Sequence, residues 1–150
     1  MPSELTRDTG QAHEGDNAMT KKIEAIIREE KLSAVQEALR RIGIVGMNIV
    51  DVQGRGRQGG ISLTGRTGTY QVDMLPRVQV NIILSDHNVE KTVAAIRQAA
   101  QSGNIGDGLI FIYPVEEVIR IRTGERGRTA LTYDDDIDAR AAVAEQAMPG

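Results

Sequence analysis

The sequence predicts an α+β domain of βαββαβ order, and three observations carry that expectation. Apolar residues alternate with polar ones in several short runs, the mark of half-buried strands. Two intervening stretches repeat their apolar residues at helical spacing. Over residues 54–76 the apolar pattern fails, so a long loop interrupts an otherwise regular succession.

Residues 1–19 show no apolar period and many small polar side chains, so they are expected to form a disordered acidic extension; Met19 stands beside Met1 as a candidate start. "KIEAIIR" then places Ile23, Ala25 and Ile27 on one face of a first strand. In "KLSAVQEALRRIG", Leu32, Val35, Leu39 and Ile42 recur at helical spacing, and Gly43 stands where a helix stops. "MNIVDVQG" resumes a β-branched run, with Val50 and Val52 as core candidates. The next stretch, "GRGRQGGISLTGRTGTYQVDMLP", holds six glycines and three arginines and reads as a functional loop without structure of its own. "RVQVNIIL" alternates at Val78, Val80 and Ile82, and "NVEKTVAAIRQAAQSG" is again helical, with Val89, Val93, Ile96 and Ala100 on one side.

After a glycine turn, the apolar run "LIFIYPV" reads as a buried strand. "EEVIRIRT" reads as a further strand, on which Arg120 and Arg122 share a face and Glu116 and Glu117 point oppositely. Residues 132–150 read as an acidic tail whose leading acids favour a short helix. Without the long loop this order is the ferredoxin-like plan, an antiparallel sheet with both helices on one face, expected over residues 20–131. The other face then needs cover, and self-association supplies it.

Composition removes several classes. The chain has 150 residues, enough for one domain with a full core. It has no cysteine, so thiolate metal sites and cysteine nucleophiles are out, and His13 and His87 are too far apart for a convincing metal site. No apolar run reaches the ~18 residues of a membrane span, and the acidic N-terminus has no signal-like apolar core, so a cytoplasmic location is expected. Residues 1–19 carry four acids and one base and residues 132–150 five acids and one base. A chain of net charge −3 therefore keeps a body of +4 between two acidic ends, and its arginines are available to an anionic ligand.

Four groups carry possible chemistry. "GRGRQGG" lacks the GK[ST] ending of a phosphate loop and opens no helix, so on its own it is either an anion-binding loop or a flexible hairpin stem. "GNIGDGLIF" is either an anion nest of successive backbone amides or a plain helix-to-strand connection. "IRIRTGERGR" offers two guanidiniums to an anion, or is a solvated edge strand. Tyr70, in the long loop, is a docking or modification handle, or folds back on the surface. No nucleophile–base set is evident, and no tight carboxylate cluster outside the acidic tail, so a regulatory binding protein is expected, not an enzyme.

"KKIEAIIR", "GIVGM", "GRGRQ", "VDMLPRVQV", "SGNIGDGLIF" and "VIRIRTGERG" together resemble the PII signal-transduction proteins, from about residue 22 to 131. The resemblance implies a homotrimer that binds ATP or ADP between subunits. Residues 54–76 would be the T-loop, which docks target enzymes, transporters or regulators of nitrogen or related metabolism. The glycine turn would be the B-loop and the C-terminal stretch the C-loop. Carried over by position, Gly54, Gly56, Arg57, Gln58, Ile83, Gly106, Asp107, Gly108, Arg120 and Arg122 would hold the nucleotide. Gln58 would help hold Mg2+ and, with Arg77, 2-oxoglutarate, and Tyr70 aligns with a tyrosine uridylylated in some members.

Several positions depart from the family. Leu109 stands in place of a B-loop lysine or arginine, which removes a charged contact of about 1.5–3 kcal/mol. Asn104 and Arg77 stand where lysines are common, and Asn48 and Asn81 where a threonine and a glutamate are used around the adenine. The loop sequence "LTGRTGTY" differs from the family's tyrosine-centred motif. Two alternatives follow: a divergent sensor of ADP, AMP or another small anion without a 2-oxoglutarate response, and a nucleic-acid-binding ferredoxin-like module. The second needs exposed aromatics for base stacking, and the chain offers only Phe111 and three tyrosines, so no nucleic-acid partner is expected.

Overall fold

Residues 19–55, 61–66, 68–72, 74–131 and 137–138 are described by the structure, a computed structural model. Alternation makes Thr20–Arg28 (β1) the centre of the main sheet: Ile23, Ala25 and Ile27 are buried on one face, while Lys22, Glu24, Ile26 and Arg28 take the other. Leu32–Arg41 (α1) buries Val35 and Leu39, one turn apart. It stops as the spacing predicts. Gly43 takes φ +94°, its amide donates to the Arg40 carbonyl, and Ile44 reaches back to Leu39, a Schellman closure.

Asn48–Gly54 (β2) leads to Ile61–Gly65 (β3) and Gly68–Val72 (β4), and Leu75–Ser85 (β5) follows. A short 3-10 turn, Asp86–Asn88, opens Val89–Ala100 (α2), and Gly108–Val115 (β6) closes the sheet. The strand order is β2-β5-β1-β6, with every neighbour antiparallel. This is the predicted α+β ferredoxin-like arrangement. α1 and α2 cover one face, where Val78, Val80, Ile82 and Leu84 of β5 join the β1 residues in one core.

Four expectations are corrected. The loop 54–76 is not structureless: β3 and β4 pair from Ile61↔Val72 to Gly65↔Gly68, and the hydroxyls of Thr64 and Thr69 meet at 3.2 Å beside the turn. β-branched residues on both arms and a glycine at each end of the turn explain the hairpin. Val50 and Val52 are not core residues, because β2 is an edge strand whose even-numbered side chains share the helix-free face with Gln79 and Arg77. The run "LIFIYPV" is not buried either. β6 is the opposite edge, and Leu109, Phe111, Ile112 and Tyr113 are all exposed.

Finally, "EEVIRIRT" is not a strand. Ile119 and Arg126 form an isolated bridge around a turn at 121–123, with Gly124 and Gly127 both at positive φ, so Arg120 and Arg122 do not share a strand face. Glycines and alternating charges allow the chain to reverse there.

One finding has no counterpart in the local sequence pattern. Ile137 and Asp138, within the stretch expected to be an acidic tail, are buried. Ile137 joins the core, and its amide donates to the Gly43 carbonyl at 2.8 Å. Asp138 accepts from the Ser85 amide at 3.1 Å and from the Asn88 side-chain amide. Two residues thus fasten the end of α1 to the start of α2.

Candidate ligand-binding site

The glycine turn between α2 and β6 is built by its own aspartate. Oδ2 of Asp107 accepts from the Ser102 and Gly103 amides at 2.8 and 2.9 Å, and Oδ1 accepts from the Ser102 hydroxyl. These bonds, led by that of the hydroxyl, hold the Asp107 carboxyl well below the usual carboxylate range. Gly106 and Gly108 take φ of +102° and +111°. At Gly108 a Cβ would collide with the Ile26 carbonyl, so only glycine lets the turn lie this close to β1. The amides of Gly106 and Asp107 have no intrachain acceptor among the described residues. Successive amides in a positive-φ turn are what an anion nest requires.

Around the turn lie residues from three strands. Register places Arg28 of β1 opposite Arg77 of β5 at the sheet end where β6 begins. Gly54, the last residue of β2, pairs with Leu75 and sits against the Arg77 side chain. Arg77 donates to the Pro76 carbonyl at 3.0 Å, and the two arginines thus stand side by side on one sheet face at that corner. An apolar cavity of about 370 Å³ opens beside it, lined among others by Ile26, Ile96, Ala100, Leu109 and Ile110.

The structure therefore brings Gly106, Asp107, Gly108, Gly54 and Arg77 to one end of the sheet. The Asp107 side chain, however, is occupied within the turn by the Ser102 and Gly103 amides. Ile83 lies on the helix-free face nearer the other end, opposite Lys22. Arg120 and Arg122 follow the far end of β6, which at ~3.3 Å per residue lies roughly 23 Å from Gly108. Arg120 donates to the Thr129 and Ala130 carbonyls and pairs with Glu125 at 3.5 Å. Gly56, Arg57 and Gln58, and the side chain of Tyr70, lie outside the described residues. No group of three potential metal-binding side chains occurs among the described residues.

Sequence reasoning missed Arg28 and Ile26. The alternation that buries Ile23, Ala25 and Ile27 puts both on the open face, so the signal was present. Likewise an exposed Leu109, at 65%, and a half-exposed Phe111 continue that face along β6.

The described residues thus form a βαββαβ sheet with one face bare of helices, a glycine turn at one end and a hairpin rooted beside it. Comparison with known proteins gives the family. A model of the family "Nitrogen regulatory protein P-II" matches residues 20–125. The chain is 51% identical over 111 residues to the nitrogen regulatory protein P-II of Rhodospirillum rubrum, covering 74% of this chain and 99% of that protein. It is 52% identical over the same length to that of Rhizobium meliloti. Among solved structures, Arabidopsis thaliana PII bound to citrate superposes with a TM-score of 0.62 at 36% identity, covering 75% of this chain and 92% of that one. The chain belongs to the nitrogen regulatory protein P-II family, whose members are signalling regulators. No helix among the described residues is long and apolar enough to cross a membrane.

Proposed function

We propose that this protein is a PII-type sensor of adenine nucleotides, with ATP or ADP held between copies of the chain in a homotrimer. The observation that carries the reading is the preorganised glycine turn, with positive φ at Gly106 and Gly108 and its carboxylate already satisfied inward. The turn and the arginines of the C-terminal stretch lie beyond opposite ends of β6, so a phosphate cradle using both is completed by a neighbouring copy. The bare face and the apolar edges at Val50 and Leu109 are the surface that a second copy covers.

The same arrangement links ligand to output. The β3–β4 hairpin leaves the sheet where Gly54 pairs with Leu75, next to Arg77 and the turn. An anion bound there sits at the root of the hairpin and biases how it is presented to target proteins. In this reading Arg77 would meet a dicarboxylate such as 2-oxoglutarate, and the binding of citrate by the Arabidopsis relative is in keeping with an anion site on this fold. Magnesium would arrive with the nucleotide, with Gln58 the expected protein contact.

Leu109 favours a second reading, in which ADP or AMP is the preferred ligand. Its side chain stands at the start of β6, where the phosphate chain gains no local cation. Calorimetric titration with ATP, ADP, AMP and 2-oxoglutarate, with and without Mg2+, separates the two. The sensor reading predicts saturable binding of at least one adenine nucleotide; no binding of any at millimolar concentration would overturn it.

A further inference from the structure

We infer that Arg28 is a positioning residue, holding the glycine turn in its anion-receiving shape and cancelling the charge of Asp107. The inference rests on the nucleotide reading above. A carboxylate inside an anion-binding turn poses an electrostatic conflict, since it repels the phosphate that the neighbouring amides attract. Turning Asp107 inward onto Ser102 and Gly103 solves half of it. Arg28 supplies the rest: its Nε donates to Asp107 Oδ1 at 3.3 Å, forming an ion pair.

The same guanidinium reaches a second point of the turn. Its Nη2 donates to the Ile105 carbonyl at 2.8 Å, across 77 residues of sequence. Gly106 lies between these two anchors, so the orientation of its peptide is fixed from β1. The Arg28 side chain is only 15% exposed, which keeps the pair from full solvent screening. A lysine could meet one acceptor but not both, whereas the planar fork serves the carboxylate and the carbonyl together. With leucine at 109, the turn has no cation of its own at that position. Compensation for Asp107 therefore falls on Arg28.

The test is calorimetric titration of ATP, ADP and AMP into the full chain and three variants: Arg28→Met, Arg28→Lys and the double variant Arg28→Met/Asp107→Asn. Thermal melts run alongside. Arg28→Met is expected to weaken ADP binding roughly tenfold or more. The loss should be greater for ATP than for AMP, because repulsion by the bared carboxylate grows with ligand charge. Arg28→Lys should fall between, and it carries the test if Arg28→Met does not fold. The double variant should recover much of the loss, a result that a merely structural role would not give. If the wild type binds nucleotide and Arg28→Met binds equally well, the inference is overturned while the nucleotide reading stands. Equal losses for all three ligands without recovery in the double variant overturn it too. If the wild type binds none of the three, the nucleotide reading fails and the inference goes with it.

Discussion

Helix α2 has an aspartate near each end, and the two do opposite kinds of work. Asp107 shapes the outgoing turn from within, bonding to residues four and five positions earlier. Asp138 closes the incoming end from outside, bonding to Asn88 across 50 residues of sequence. One shapes an exposed turn; the other fastens the core. The contrast shows that similar chemistry serves a local, exposed task and a remote, buried one, and that the two should fail differently when removed.

The largest stability loss is expected at the buried end. Asp138→Ala strips the acceptor from two buried donors, the Ser85 amide and the Asn88 side chain, at a cost of about 2–5 kcal/mol. Urea unfolding reads this as a lower midpoint, and a chain ending at residue 131 should lose a similar amount. Unchanged stability in that truncation would break the comparison. At the exposed end, Gly108→Ala should cost about 2–4 kcal/mol, because the new methyl meets the Ile26 carbonyl at an unfavourable φ. Gly103→Ala, with φ +90° but open space around it, should lose only about 1–2 kcal/mol. If the two glycine variants are equally destabilised, crowding against β1 is not what sets the turn.

The smallest effect is one of pH. The Asp107 carboxyl is lowered by its bonds to Ser102, Gly103 and Arg28. Its contribution to stability is therefore full above the ordinary aspartate range near ~4 and is lost as pH falls toward the lowered value. The difference in unfolding midpoint between wild type and Asp107→Asn should stay flat from neutral pH to about 5 and narrow below ~4. A gap that widens on acidification would contradict the assignment.

The same contrast explains which features of the fold are legible in the sequence alone. β1, β5 and both helices were legible because period and partner agree: Ile23, Ala25 and Ile27 alternate and are buried, and Val35 and Leu39 lie a turn apart and are buried. That residues 101–108 form a turn was legible because the bonds of Asp107 to Ser102 and Gly103 are local; its tie to Arg28, 77 residues away, was not. Edge status was not, since nothing in "NIVDVQG" or "LIFIYPV" states that only one strand will lie beside it. The Asp138 clasp was hidden for a related reason: an aspartate in an acidic run looks solvated unless its distant partners are known. Arg120 and Arg122 misled because an alternating pattern is compatible with a strand and equally with a glycine-flanked reversal. Tertiary context, not local preference, decided each of these.

In the proposed assembly the anion site joins the turn of one copy to the arginines of another. Sedimentation equilibrium combined with ADP titration of the wild type and of Arg122→Ala, an exposed residue beyond the far end of β6, tests it directly. The expected result is a closed assembly of three copies binding one nucleotide each, with affinity reduced roughly tenfold or more in the variant. A single subunit that binds ADP at full strength, or a variant that binds as tightly as the wild type, would contradict it.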